Sequence, residues 1–173
     1  VFGQLLTAGS KNYTKEKFNE EIDNIGASIS ASSAGVGGLT LKKHQDKFFQ
    51  LLSEVMLNPN FSESELEKLK SQMEAGLTAS EDEPDAMLAN VTKVINYGKN
   101  HPYAEITTKE SIKNVTLADI QKYYKTYYRP NVAHLALVGD ITLEEAKKIA
   151  TKYFGNWKKA DVPKATYPAA PEV

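Results

Sequence analysis

Apolar residues recur at helical spacing in six stretches of the chain, and each stretch predicts an amphipathic helix. In residues 14–27, Phe18 and Ile22 fall on one face, Thr14 can cap the start of the helix and Gly26 can end it. The other five helices are predicted over residues 44–59, 62–80, 86–98, 116–130 and 142–157. Helices therefore account for most of the regular structure that the pattern predicts.

Three stretches have the composition of β-strands. Residues 27–35 and 35–43 combine small and apolar side chains and predict a hairpin that turns near Gly35. Residues 132–140 are apolar at nearly every position and predict a strand that is covered on both faces. Because three strands are few for so many amphipathic helices, we expect further strands from sequence upstream of Val1. The pattern predicts a layered α+β fold, in which helices pack on a small, mostly antiparallel sheet.

Two of the predicted helices carry apolar faces whose burial can be stated residue by residue. The helix over 86–98 is expected to turn four apolar side chains inward: Met87, Val91, Val94 and Ile95. The helix over 116–130 carries four tyrosines, two on its apolar face and two at its shoulder: Tyr124 and Tyr127 on the face, Tyr123 and Tyr128 at the shoulder. Such a set could stack on a ligand, but the apolar face favours packing in the core.

Composition and charge fit one globular domain and exclude some functions. The 173 residues are 41% hydrophobic and 25% charged, with a formal net charge of -1. This balance gives neither the basic surface of a nucleic-acid binder nor a polybasic membrane surface, and no apolar run approaches the roughly 18 residues of a membrane span. We assign residues 1–157 to one domain and the Pro- and Ala-containing residues 158–173 to a linker or tail.

The titratable residues do not form a recognisable metal site. His44, His101 and His134 lack the spacing of four that places two imidazoles on one helix face, so surface or structural roles are favoured. The acidic run within residues 81–85 lacks the alternating oxygen ligands and the Gly of a calcium loop. It falls at a helix start, where acids complement the helix dipole, and capping is the favoured interpretation.

The order of five short motifs resembles that of the M16 metallopeptidases, the group of insulinase, pitrilysin and the mitochondrial processing peptidases. The motifs are Gly-Ser at 9–10, His-Pro-Tyr at 101–103, Tyr-Arg-Pro-Asn at 128–131, Val-Gly-Asp at 138–140 and Phe-Gly-Asn-Trp at 154–157. The resemblance spans Val1 to about Trp157. It implies the layered α+β fold of that family, with the first strands missing from this chain.

The resemblance also implies where the family's catalytic residues would stand. These enzymes hold Zn²⁺ with a helical His-x-x-Glu-His motif, whose Glu takes a proton from the metal-bound water, and with a further Glu on a long helix. Here the Glu of the motif falls on Gly3, its second His on Gln4 and the distant Glu on Gly76, with Glu74 on another face of that helix. We therefore expect no catalytic residue and no metal ligand in this chain.

The family pairs a metal-binding half with a degenerate half that completes a substrate chamber, and the resemblance implies the second role here. We expect a catalytic M16 half, with the zinc, on the same polypeptide or on a partner chain, and peptide substrates. The alternative is an assembly module related to the respiratory-complex core proteins, with no peptidase role. Bacterial members with such degenerate halves are often exported, which favours the periplasm.

The resemblance places a peptide-binding edge strand at seven residues: Ala27, Ser28, Ile29, Ser30, Ala31, Ser32 and Ser33. Their small side chains would leave the backbone open to an extended peptide that adds as another strand. A proline at position 30 is expected to weaken such binding by removing a backbone donor.

The first ten residues correspond to the end of a family helix. Val1, Phe2, Leu5 and Leu6 are therefore expected to pack inward. Because the sheet would keep an unpaired edge, we expect the chain either to form a homodimer or to be less stable than a version with further upstream residues.

Overall fold

The computed structural model describes residues 1–169 and divides the chain into two compact units. Unit 1 comprises Val1–Leu66 and Leu117–Val162, and unit 2 comprises Glu67–Thr116 and the described residues from Pro163 onward. The predicted boundary at Trp157 stays a prediction, and residues 170–173 of the predicted tail lie outside the described residues.

Helices dominate both units. The α-helices are α1 (Phe2–Leu6), α2 (Lys15–Asn24), α3 (Gln45–Leu57), α4 (Glu63–Ala79), α5 (Pro84–Tyr97), α6 (Lys109–Asn114), α7 (Leu117–Tyr127) and α8 (Leu143–Phe154). Single 3₁₀ turns occur at Lys42–His44, Pro102–Ala104 and Pro130–Val132. Each of the six helices expected from periodicity is present. No helix of the described residues is long and apolar enough to cross a membrane.

The hairpin predicted around Gly35 is confirmed. Its strands are β1 (Ser28–Ala31) and β2 (Val36–Leu39), which pair antiparallel. The turn is closed by the N–H of Ser32, which donates to the carbonyl of Gly35 at 2.8 Å. The Oγ of Ser32 also accepts the N–H of Gly35 at 3.2 Å. A serine therefore supplies the local hydrogen bonds that fix this turn.

Two apolar clusters in unit 1 support the hairpin. One joins α2 and α3 through Phe18, Ile22, Leu51 and Val55. The other joins α3 and α8 through Phe48, Phe49, Leu52 and Ile149. Ile29 of β1 packs against both clusters. The neighbouring strand β2 can lie close to the ring of Phe48 because it carries Gly38, where a Cβ would lie 2.8 Å from that ring.

The short helix α1 is buried, as the sequence predicts. Leu5 and Leu6 have no exposed surface, Phe2 is buried and Val1 is partly buried. Burial of leucine-sized side chains contributes roughly 1.5–3 kcal/mol each, so this single short helix is an important part of the core of unit 1.

Of the four tyrosines in and just after α7, only Tyr128 is buried, and the predicted faces are partly wrong. Tyr128 is buried, with its ring 5.6 Å from that of Phe2. Tyr124 donates its hydroxyl to the carbonyl of Met56 at 2.8 Å. Tyr127, which was expected on the apolar face, is 44% exposed. The reason is that the ring of Phe2 packs on Tyr123, at 4.8 Å, and on Tyr128, which leaves Tyr127 outside this contact.

The segment 132–140 is neither paired nor covered, so the prediction of a buried strand there is wrong. Within the described part of the chain, the N–H groups of residues 134–138 donate to no backbone carbonyl. Leu135 is 50% exposed and Val138 is 99% exposed, whereas Leu137 packs against the cluster of α3 and α8. Its backbone pairs with no described strand, although β2 lines the same groove.

In unit 2, α5 turns a different side inward from the one predicted. Met87, Val91 and Ile95 are all more than half exposed, at 56%, 53% and 60%. Val94 is partly buried, as expected. Ala86 and Asn90, which are partly buried, instead line a groove with the end of α4 and residues 106–110, and the half-exposed Met87 also borders this groove. The inner face was set by this neighbouring loop, which the periodicity of the helix alone does not specify.

Candidate functional site

Gly3, where the family resemblance implies the catalytic Glu, lies where α1 meets β1. A Cβ on Gly3 would lie 2.2 Å from the carbonyl oxygen of Ala31 and 2.7 Å from the Cα of Ser32. Real Cβ atoms essentially never approach other atoms within 3.0 Å. The two wholly buried leucines of α1 hold the helix in this place. A carboxylate side chain therefore has no room at this position unless the strand moves.

The other two positions also lack ligands. Gln4 is exposed, and its amide is neutral. Gly76 is exposed on α4, and a Cβ there would meet nothing within 4 Å, so packing does not require a glycine. Glu74 is partly buried on the same helix. Zinc in proteins is bound by thiolate, imidazole or carboxylate. The residues at Gly3, Gln4 and Gly76 therefore do not fit a zinc ion.

The three histidines lie in separate places. His44 ends the 3₁₀ turn before α3, His101 is buried in unit 2, and His134 is exposed in the segment 132–140. Across residues 1–169, no three His, Cys, Asp or Glu side chains lie close enough together to hold a metal ion.

The acidic run of unit 2 is used at the start of α5. Asp85 stands in the first turn of that helix, where its charge complements the helix dipole. Glu83 is the N-cap residue but accepts no side-chain capping hydrogen bond. Glu81 forms an ion pair with Lys109 at 2.8 Å. The run therefore has roles at a helix end and in an ion pair of unit 2.

The strand proposed for peptide binding has one paired edge and one open edge. In an antiparallel hairpin, opposed residues alternate between hydrogen-bonded and non-hydrogen-bonded pairs. Because Ser32 and Gly35 are hydrogen-bonded, the next hydrogen-bonded positions of β1 are Ser30 and Ser28, which direct their N–H and C=O groups to β2. The backbone groups of Ile29 and Ala31 face the open edge. Sequence reasoning missed this distinction, although the position of the turn and the alternation of pairs together could have revealed it.

Neighbouring elements cover the far end of this open edge. The carbonyl of Ala31 lies against Gly3, as described above. The carbonyl of Ser33 accepts the hydroxyl of Tyr123 at 3.0 Å. Ile29 is therefore the residue of β1 whose backbone donor and acceptor remain open to an added strand. Peptide addition along residues 27–33 stays a prediction, now centred on this residue.

The perturbed titratable groups of unit 1 belong to its packing. Lys152 Nζ lies 2.5 Å from Asp46 Oδ1, and the hydroxyl of Tyr153 lies 2.6 Å from the same oxygen. Hydrogen bonds from Lys152 and then from Tyr153 lower the pKa of the Asp46 carboxyl. Burial raises the pKa of the Tyr128 hydroxyl to about 12. These shifts favour a charged Asp46 and a neutral Tyr128, and neither makes a general base near neutral pH.

Known families match the chain along nearly its whole length. Residues 3–109 match the family described as Insulinase (Peptidase family M16). Residues 114–173 match the family described as Peptidase M16 inactive domain. The two matches follow one another without overlap.

Two curated relatives show the same relationship. The non-peptidase homolog YmxG of Helicobacter pylori is 28% identical over 154 residues, which cover 86% of this chain and 35% of that protein. The mitochondrial-processing peptidase subunit beta of Caenorhabditis elegans is 26% identical over 162 residues, which cover 88% of this chain and 34% of that protein. The chain thus spans about a third of the length of these relatives.

Solved structures show the same fold. The crystal structure of a peptidase M16 inactive domain from Pseudomonas fluorescens superposes with a TM-score of 0.83 at 22% identity, covering 98% of this chain and 43% of that chain. This similarity confirms the layered α+β class. Together with the family match over residues 3–109, it shows that the chain belongs to peptidase family M16.

Proposed function

We propose that this chain is a non-catalytic domain of an M16-type zinc metallopeptidase. It completes the substrate chamber opposite a zinc-bearing half and aids peptide binding, while hydrolysis takes place on that other half. The contact between Gly3 and Ala31 carries the proposal, because a backbone carbonyl occupies the space that the side chain of a catalytic base would need. The words non-peptidase homolog in the name of a 28% identical relative support it.

The zinc belongs, in this proposal, to the catalytic half, on the same polypeptide or on a partner chain. The share of this chain in substrate binding is the open backbone of Ile29, which offers one N–H donor and one C=O acceptor to an extended peptide. Recognition through main-chain hydrogen bonds gives affinity with little selectivity for sequence. Such a contribution suits a domain that positions many peptides for a neighbouring catalytic centre.

Reconstitution with a zinc-bearing M16 half from the same source tests the role. The chain alone should hydrolyse no fluorogenic peptide and should purify without bound zinc. Its addition should raise the kcat/KM of the catalytic half at least about tenfold, because holding the substrate in a reactive geometry lowers the barrier. A Gly35→Ala variant of the chain controls for the effect of a substitution as such. It should raise kcat/KM as the unmodified chain does, because a Cβ at this position meets nothing within 4 Å. Hydrolysis by the chain alone, with about one tightly held zinc, would refute the proposal.

Amide hydrogen exchange tests the peptide site within the reconstituted complex. A peptide that adds to the open edge should slow exchange at Ile29 at least about tenfold, because its N–H gains a partner. Ser30 is the matched control, since its N–H is already directed to β2. For the same reason Ser30→Pro would damage the hairpin itself. Unchanged exchange at Ile29 under saturating peptide would move the substrate site elsewhere.

An assembly module is the second candidate. The word subunit in the name of the processing-peptidase relative supports it. This candidate predicts that the chain co-purifies in a multi-subunit particle and leaves the kcat/KM of any zinc-bearing half unchanged. The reconstitution described above therefore separates the two functions.

A further inference from the structure

Three tyrosines and a histidine form an aromatic cluster in unit 2, apart from the positions considered so far. The ring of His101 stacks between those of Tyr97 and Tyr167, with centroids 5.2 Å and 5.9 Å away and interplanar angles of 27° and 22°. The ring of Tyr103 lies 5.2 Å from His101 and 5.4 Å from Tyr167. Tyr167 thus contacts two rings of a part of the chain that is distant in sequence.

Local chemistry fixes the part of this cluster that precedes Tyr167. Helix α5 ends at Gly98, whose φ of 81° reverses the chain so that His101 returns to the ring of Tyr97. The Nδ1 of His101 accepts the N–H of Tyr103 at 3.1 Å and so caps the 3₁₀ turn Pro102–Ala104. His101 is 8% exposed. The His-Pro-Tyr motif therefore builds a rigid aromatic surface.

We propose that Tyr97, His101 and Tyr103 form an aromatic surface whose ligand is the ring of Tyr167 of the same chain. The ligand class is an aromatic ring on an extended segment beside a proline, since Pro168 follows Tyr167 and residues 157–169 contain no helix or strand. Aromatic-lined grooves recognise such proline-flanked segments because little conformational entropy is lost on binding.

The composition of the segment after Trp157 predicts a linker. In the structure, however, this segment is held at one point in unit 1 and at one point in unit 2. In unit 1, the side-chain amide of Asn131 donates to the carbonyl of Ala160 at 3.1 Å and accepts its N–H at 3.3 Å. In unit 2, Tyr167 is stacked on His101. The segment is a strap with two anchors. This inference does not depend on the peptidase role proposed above.

Proton NMR of the imidazoles tests the stacking directly, since the chain has only three histidines. The His101 ring signals should lie upfield of those of the exposed His134, because two aromatic faces shield them. Tyr167→Ala should move the His101 signals downfield, and Tyr167→Phe should leave them near their original position. Tyr127→Ala is the matched control, since Tyr127 is a partly exposed tyrosine of unit 1.

Limited trypsin digestion gives a second measurement of the strap. Cleavage after Lys164 requires the strap to open near Tyr167, whereas cleavage after Lys159 lies beside the other anchor and serves as the internal reference. Tyr167→Ala should raise the cleavage rate at Lys164 about tenfold relative to Lys159, the scale expected from the loss of two aromatic contacts. Tyr167→Phe should not. His101 signals and cleavage rates that are the same in Tyr167→Ala and in the unmodified chain would overturn the proposal.

Discussion

The hairpin of residues 28–39 and the extended segment 132–140 lie in the same unit and line the same groove, yet only the hairpin is paired. The hairpin is rich in Gly and Ser, which favour strands poorly, whereas the segment is rich in Val and Leu. The hairpin forms because its partner strand follows after a short turn. Apolar side chains alone therefore do not decide whether a segment pairs as a strand.

The two regions also differ in how they meet the core. Ile29 of the hairpin packs against both apolar clusters of unit 1. In the segment 132–140, Leu137 packs against one cluster while Val138 is 99% exposed. We therefore expect the stability of the chain to depend on the packing around the hairpin far more than on the apolar side chains of the segment.

The largest effect is expected from truncation in the core that supports the hairpin. Leu51→Ala should lower the free energy of unfolding by about 3–4 kcal/mol, because Leu51 has no exposed surface and belongs to a cluster that contacts Ile29. Val138→Ala should change it by less than about 0.5 kcal/mol. Urea unfolding followed by circular dichroism measures both. Similar losses in the two variants would show that the two regions are supported alike.

A smaller but substantial effect is expected where α1 touches the hairpin. Gly3→Ala should lower the free energy of unfolding by about 2 kcal/mol, because overpacking against Ala31 outweighs the roughly 1 kcal/mol gain in helix propensity. Gly35→Ala is the matched control in the turn of the hairpin, where a Cβ meets nothing within 4 Å. Thermal melts of both variants provide the measurement. A Gly3→Ala chain as stable as the original would contradict the close contact.

The segment 132–140 should matter instead for self-association, if the expected homodimer forms through it. Leu135 and Val138 are 50% and 99% exposed, and each leucine-sized contact contributes roughly 1.5–3 kcal/mol. Leu135→Asp with Val138→Asp should weaken the dimer at least about tenfold, as measured by sedimentation velocity. Met87→Asp, on the exposed face of α5, is the control. A chain that is strictly monomeric at high concentration would remove the expectation altogether.

The smallest effect concerns the link between α3 and α8. Hydrogen bonds from Lys152 and Tyr153 hold the pKa of Asp46 below its ordinary value of 3.8 in the folded chain. A depressed carboxyl pKa stabilises the fold above the unfolded pKa, and this stabilisation is lost as pH falls through the folded pKa. Asp46→Asn should therefore lower Tm slightly at neutral pH and not at all at about pH 2. If the difference in Tm between Asp46→Asn and the unmodified chain instead grew as the pH fell, the depressed pKa assigned to Asp46 would be wrong.

The helices and the hairpin could be predicted because their signals are local. Thr14 accepts the N–H of Lys17 at 3.3 Å, as expected of a residue that caps α2. Thr142 and Glu145 form the reciprocal capping box at the start of α8. Gly26, with a φ of 58°, follows the end of α2 where the sequence places it. Each of these interactions joins residues that are close together in sequence.

The remaining features depend on what lies beside a residue in space. The segment 132–140 has the side chains of a strand, but its backbone pairs with no described strand. The motif order predicted that Gly3 replaces a catalytic Glu, but not that the carbonyl of Ala31 fills the space. The inner face of α5 likewise depends on residues 106–110. Such contacts between distant parts of the chain leave no periodic signal in the sequence.

The contact at Gly3 also bears on the descent of this chain. In the genetic code, a glycine codon that ends in a purine becomes a glutamate codon by one change in its second base. That change would restore the residue type of the family's base, but the new side chain would collide with the carbonyl of Ala31 and weaken the fold. A zinc site at the positions that the family resemblance implies would also need replacements at Gln4 and Gly76. Under the proposed non-catalytic role, a return to catalysis by single substitutions would therefore pass through a chain that folds less stably.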